Sequence, residues 1–145
     1  MTVRVTRTFE FDHPPESVWA FISDPEKRAG AISVVEEFDL HPTDERKATW
    51  HVALPIPVIR STVPVETEDV TREPPRYVKF VGRSRALRVT GEHTVEETEN
   101  GARLVNEFIV DGSLPGVESF FKRNLDRELD NLEAALRRDL SNSER

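Results

Sequence analysis

The chain has 145 residues, with 20 Lys and Arg against 27 Asp and Glu, a formal net charge of −7, and 37% apolar residues. That length fits one domain, residues 1–145, able to bury about two thirds of its unfolded surface. There is no cysteine, which excludes disulfide frameworks, thiolate metal sites and cysteine nucleophiles.

Acid excess without a basic cluster argues against a nucleic-acid surface. No apolar run approaches the roughly 18 residues of a membrane span, and the start MTVRVTRTFEF does not resemble a signal peptide. The expectation is a cytoplasmic protein with no integral membrane segment.

Thr2 to Phe11 alternates Val3, Val5, Phe9 and Phe11, a strand with one buried face. His13-Pro14-Pro15-Glu16 interrupts it, and proline suits a first helical turn, where its missing N–H is not needed. Val18, Trp19, Phe21 and Ile22 give that helix an apolar side; Asp24-Pro25 ends it, and Pro25 to Ala31 reads as a second short helix. From Ile32 the period switches to two. Val34, Phe38 and Leu40 mark one strand, and Ala48, Trp50, Val52 and Leu54 the next. Leu54-Pro55-Ile56-Pro57 reads as a turn, and Pro64 as a bulge or break in the strand marked by Val63, Val65 and Val70. After the turn Arg72-Glu73-Pro74-Pro75 come Tyr77 to Val81 and Arg85 to Glu97, joined across Gly82-Arg83-Ser84. Asn100-Gly101 is a strong hairpin signal. It pairs Arg85–Glu97 with Ala102–Asp111. From Leu114 to Leu140 apolar residues recur every three or four positions, the stripe of a helix of about 25 residues. Ser113 and Pro115 would start it, and the final Ser-Asn-Ser-Glu-Arg should fray.

The order is strand, two short helices, six antiparallel strands and one long amphipathic helix. Sheet and helix each have one apolar face and must cover each other. A sheet of about seven strands curls, so a straight helix touches it along only part of its length. The space left over is where a ligand would go.

The run from Phe11-Asp12-His13-Pro14-Pro15-Glu16 through Val18-Trp19 to Asp24-Pro25-Glu26 resembles the opening of START-like helix-grip (SRPBCC) proteins. Thr71-Arg72-Glu73-Pro74-Pro75-Arg76 and the hairpin with Gly91, Asn100-Gly101 and Leu104 are similar to the same superfamily. The nearest likeness is to two of its branches, the carbon monoxide dehydrogenase accessory proteins and the polyketide cyclase-like proteins. The resemblance runs from about Val3 to Leu140 and implies an α+β helix-grip fold, a curved antiparallel sheet wrapped around the C-terminal helix. Its motifs specify turns and packing, not a reaction, and the superfamily spans lipid carriers, hormone binders, aromatase/cyclases and co-chaperones.

Strand parity selects the candidate site. Leu87, Val89, Gly91, His93 and Val95 share the inward face; Arg88, Thr90, Glu92, Thr94 and Glu96 face solvent. Counting across Asn100-Gly101 pairs His93 with Phe108 and Val95 with Asn106, so His93 and Asn106 project diagonally adjacent into the cavity. They would hydrogen-bond a polar group on an apolar ligand, or satisfy each other, a backbone group or trapped water. Trp50, Phe80, Val89, Phe108, Val117 and Phe121 would line the space, as ligand contacts or as ordinary core. Trp19 would anchor the first helix, and Glu36 is a rim residue or a buried acid. The remaining histidines fall at a helix cap (His13), in a turn (His41) and on the outward face (His51), with no ligand spacing, so neither metal nor cofactor is expected. No GxSxG elbow or Gly-rich phosphate loop occurs.

Three functions are carried forward. The first is binding of a small hydrophobic molecule, lipid, polyketide-like or aromatic. The second is a polyketide cyclase or dehydratase with His93 as acid or base. The third, implied by the carbon monoxide dehydrogenase likeness, is an accessory or maturation role. Oligomeric state is not legible.

Overall fold

The computed structural model describes residues 2–57 and 61–143. Ten elements follow one another: β1 (Thr2–Phe11), α1 (Pro15–Ile22), α2 (Pro25–Gly30), β2 (Val35–Leu40), β3 (Lys47–Val52), β4 (Val63–Glu73), β5 (Tyr77–Arg83), β6 (Leu87–Glu97), β7 (Ala102–Gly112) and α3 (Val117–Ser143). All seven strands form one antiparallel sheet in the order β1-β7-β6-β5-β4-β3-β2. The architecture is the α+β helix-grip expected from the order of periods. Strands β2 to β7 make a meander, and β1 closes against β7, so α1 and α2 carry the chain from one edge of the sheet to the other.

Local chemistry sets the helix boundaries. Pro14 is the N-cap of α1, in extended conformation and without a side-chain cap, with Pro15 in the first turn. His13 therefore precedes the cap rather than forming it. In α2 the Asp24 carboxylate accepts from the backbone N–H of Glu26 at 2.9 Å and of Lys27 at 3.4 Å, satisfying donors with no intrahelical partner. Helix α3 starts later than the stripe implies. Gly116 has φ of +92°, a conformation that suits glycine, and it leaves Ser113, Leu114 and Pro115 in the preceding turn. At its other end α3 continues through Ser141, Asn142 and Ser143, where fraying is expected from sequence; the rest of that expectation, at Glu144 and Arg145, lies outside the described residues.

Three expectations in the sheet need correction. The β6–β7 turn is a four-residue loop, with Thr98 N–H donating to the Gly101 carbonyl at 3.0 Å and Glu97 opposite Ala102. The register is shifted from the expected one, placing His93 opposite Asn106, Gly91 opposite Phe108 and Val95 opposite Leu104. A two-residue Asn-Gly turn needs positive φ at both positions, and Gly101 does not adopt it. Glycine is required there because a Cβ would lie 2.2 Å from the Phe11 carbonyl oxygen. Second, Pro64 sits inside β4 opposite His51 with no bulge. Pairing of β4 with β5 begins only at Glu66, so at Pro64 one edge of the strand has no neighbour needing a donor. The irregularity falls between Asp69 and Thr71 instead. Third, a register shift between Val35 and Glu37 breaks the parity of β2, and Glu36 is exposed rather than aligned with Val34 and Phe38.

Val117, Phe120, Phe121, Leu125, Leu129, Leu132, Leu136 and Leu140 are all buried, so one stripe of α3 faces the core. The helix leans on β1, β7 and α1. Its mid-section stands off from the concave face of the rest of the sheet, and the space between becomes the site.

Candidate functional site

The hollow lies between the middle of α3 and the inner faces of β2 to β7. Eighteen residues line it, and all but Arg28, His93 and Glu128 are apolar. Trp50 from β3, Phe80 from β5 and Phe108 from β7 form its aromatic floor. The Trp50 and Phe80 rings lie 5.5 Å apart, and Phe80 meets Phe108 edge-on at 6.0 Å. From α3, Phe121, Leu125, Leu129 and Leu132 make the roof; Ile32, Val34 and Val35, half-buried, border the side toward α2 and β2. The volume is about 60 Å³. That is small beside the roughly 150 Å³ of a cavity that holds benzene.

His93 is fully buried, its ring stacked on Phe80 at 6.1 Å and edge-on to Phe108 at 5.5 Å. Its Nδ1 lies 2.7 Å from Asn106 Oδ1. Asn106 Nδ2 in turn donates to the Arg7 carbonyl at 3.2 Å, so the amide cannot flip without setting two acceptors against each other. Burial, aided by the positive charge of Arg28 and opposed by the bond to Asn106, pushes the His93 pKa down to about 3. The imidazole is neutral, with its proton on Nδ1. Nε2 is buried without a hydrogen-bond partner.

Arg28, on α2, is almost wholly inaccessible and sits over the Phe80 ring at 5.2 Å. Its Nη1 donates to the Ile22 carbonyl at 2.9 Å, and its Nη2 pairs with Asp69 Oδ1. Asp69 Oδ2 accepts from Arg72 Nε at 3.0 Å, and Arg72 Nη2 donates to the Ser23 carbonyl at 2.7 Å. Burial lowers the Arg28 pKa from its usual value, and Asp69 opposes that shift. Glu128, on α3, accepts from the Ser33 N–H at 2.8 Å, from the Ser33 hydroxyl and from Asn131 Nδ2 at 3.4 Å. It joins the roof to the segment beside the cavity.

A family model described as polyketide cyclase / dehydrase and lipid transport matches residues 2–137. The chain belongs to that family. Solved structures agree on the fold of this polyketide cyclase/dehydrase and lipid transport family member. The Zhui aromatase/cyclase from Streptomyces sp. R1128 is 13% identical with a TM-score of 0.74, over 96% of this chain and 94% of that one. A conserved protein from Geobacillus kaustophilus is 12% identical, TM-score 0.73, over 99% and 97%. A START superfamily protein from Mycobacterium smegmatis is 14% identical, TM-score 0.70, over 92% and 93%. A search of curated proteins finds no match.

Of the eight residues singled out in the sequence, Trp50, Phe80, Val89, His93, Phe108 and Phe121 line the hollow of this cyclase-family chain. Asn106 stands behind His93 and orients it. Val117 is buried near the start of α3 but does not reach the cavity wall. Trp19 is half-buried and packs against the core from α1. His41 Nδ1 accepts from the Asp44 N–H at 3.0 Å, and His51 Nε2 lies 2.8 Å from Asp39 on the outer face. Among the described residues no group of three or more His, Asp or Glu is placed to hold a metal, and no helix is long and apolar enough to cross a membrane.

Strand parity and motifs do not select Arg28 or Glu128, yet each leaves a trace in the sequence. Asp69 shares the inward parity of Val63, Val65 and Thr67 in β4, and a lone carboxylate on a buried face requires a cationic partner. Glu128 falls on the α3 stripe, three residues after Leu125 and seven after Phe121.

Proposed function

We propose that this chain binds a compact, mostly apolar molecule in the hollow between α3 and the sheet. The observation that carries the reading is the composition of the wall: fifteen apolar side chains around one neutral, buried imidazole. Sites that take small molecules have this form, an apolar surface with a few fixed polar groups. The volume sets the size of the guest. At about 60 Å³ the walls must give way to admit even one aromatic ring, and the half-buried side chains of Ile32, Val34 and Val35 are where the lining is thinnest.

The catalytic alternative, cyclisation or dehydration through His93, fits less well. A group with a pKa near 3 holds no proton to donate at neutral pH and is a weak base there, whereas general acid–base catalysis favours a pKa near the working pH. Asn106 also occupies one of its two nitrogens.

Native mass spectrometry tests the proposal with a panel of single-ring aromatics and short-chain alcohols. One molecule bound per wild-type chain is expected, with binding lost in Val89→Phe, which fills the hollow from β6. No complex with any member, or binding indifferent to Val89→Phe, would overturn it.

A further inference from the structure

We infer that the polar group this cavity selects is a neutral hydroxyl, donated to Nε2 of His93, so that an alcohol or phenol is accepted in preference to its deoxy or halogenated analogue. The inference rests on the binding reading above and adds the chemistry of the anchoring contact. It starts from a chain of three groups. The Arg7 carbonyl takes one N–H of the Asn106 amide at 3.2 Å, which turns Oδ1 toward the ring. Oδ1 then lies 2.7 Å from Nδ1 and has only lone pairs to offer, so Nδ1 carries the proton. In a neutral imidazole the other nitrogen is bare. Nε2 is therefore an acceptor, buried in the cavity wall with no partner.

A buried acceptor without a donor loses its hydration and gains nothing in return. A ligand hydroxyl restores that bond, displacing any water that otherwise supplies it. A carboxylate or carbonyl would set a second acceptor against Nε2. An ammonium donor is disfavoured because the nearest charge acting on His93 is the Arg28 guanidinium, which already opposes a positive charge at the ring. Glu128, the one carboxylate in the wall, is engaged by Ser33 and Asn131. A neutral O–H donor on a ring or short chain meets all of these conditions.

Phenol and fluorobenzene are a matched pair of nearly equal size, and their affinities for wild type are measured by titration calorimetry. Long-range ¹H–¹⁵N spectra of His93 are recorded alongside. The expected results are an Nδ1–H tautomer in the free protein, phenol bound about tenfold or more tightly than fluorobenzene, and an Nε2 resonance that moves with phenol only. In His93→Phe the preference should vanish while fluorobenzene still binds. Equal affinities for the two probes, or an Nε2–H tautomer in wild type, would overturn the hydroxyl assignment and leave the cavity reading standing. Binding of neither probe would overturn both. The wild-type comparison stands whether or not the variant folds.

Discussion

Arg28 and Asp69, forty-one positions apart in the chain, form a buried ion pair that ties α2 to the inner face of β4. The two partners are not equivalent. Asp69 serves both Arg28 and Arg72, whereas Arg28 has Asp69 as its single carboxylate partner in this pair of bridges.

That asymmetry predicts unequal costs. Asp69→Asn leaves a guanidinium buried without its counter-charge and should destabilise by about 3–5 kcal/mol. Arg28→Met leaves Asp69 still paired with Arg72 and replaces the charge with a side chain of similar length, so it should cost less. Urea unfolding of both variants checks the order; an Arg28→Met loss as large as that of Asp69→Asn would contradict it.

His93 makes stability depend on pH. Its folded pKa is depressed to about 3, while in the unfolded chain it titrates near 6.5. Above about pH 6.5 both states are neutral at this site and the contribution is constant. As pH falls toward 3 only the unfolded state takes up the proton, so stability declines by as much as about 1.4 kcal/mol per pH unit. Carboxylates contribute their own slopes, which a His93→Gln variant retains. Unfolding curves at several pH values from 7 to 4 should show a shallower loss for the variant. Parallel slopes would refute the depressed value.

Gly91 lies opposite Phe80 across β5 and β6, and a Cβ there would sit 2.2 Å from Phe80 Cε1. Gly91→Ala should therefore push the Phe80 ring into the cavity at a cost of about 1–3 kcal/mol. The expected signature is a lower melting temperature together with weakened binding of small aromatics. Unaltered binding would mean that the ring escapes in another direction.

The Glu128–Ser33 contacts hold the segment beside the cavity against α3. Hydrogen bonds to a charged acceptor are worth about 1.5–3 kcal/mol, so Glu128→Ala should speed amide exchange at Ser33 and its neighbours roughly tenfold or more. Exchange at β7 should not change. Uniform acceleration through both regions would indicate global loosening instead.

What the sequence discloses depends on how local the controlling physics is. The α3 stripe and the inward parity of Leu87 to Val95 follow from backbone periodicity alone. Every stripe residue from Val117 onward is buried, and so is every member of the inward set. The pairing of His93 with Asn106 is hidden because Asn100-Gly101 looks like a two-residue turn, and the reason for Gly101 is the Phe11 carbonyl, ninety residues earlier in the chain. Glu36 is displaced by a bulge with no sequence mark. Arg28 escapes for a similar reason: its surroundings are set by where α2 crosses the sheet, and only the inward carboxylate of Asp69 hints that a cation has to arrive.

The bulge in β2 has an effect away from the cavity. This six-residue outermost strand carries Glu36, Glu37 and Asp39, all exposed. A second copy laid edge to edge against it would meet a kinked backbone and a row of like charges, both of which deter strand addition. The same short segment whose root borders the hollow thus guards an open flank of the sheet against aggregation.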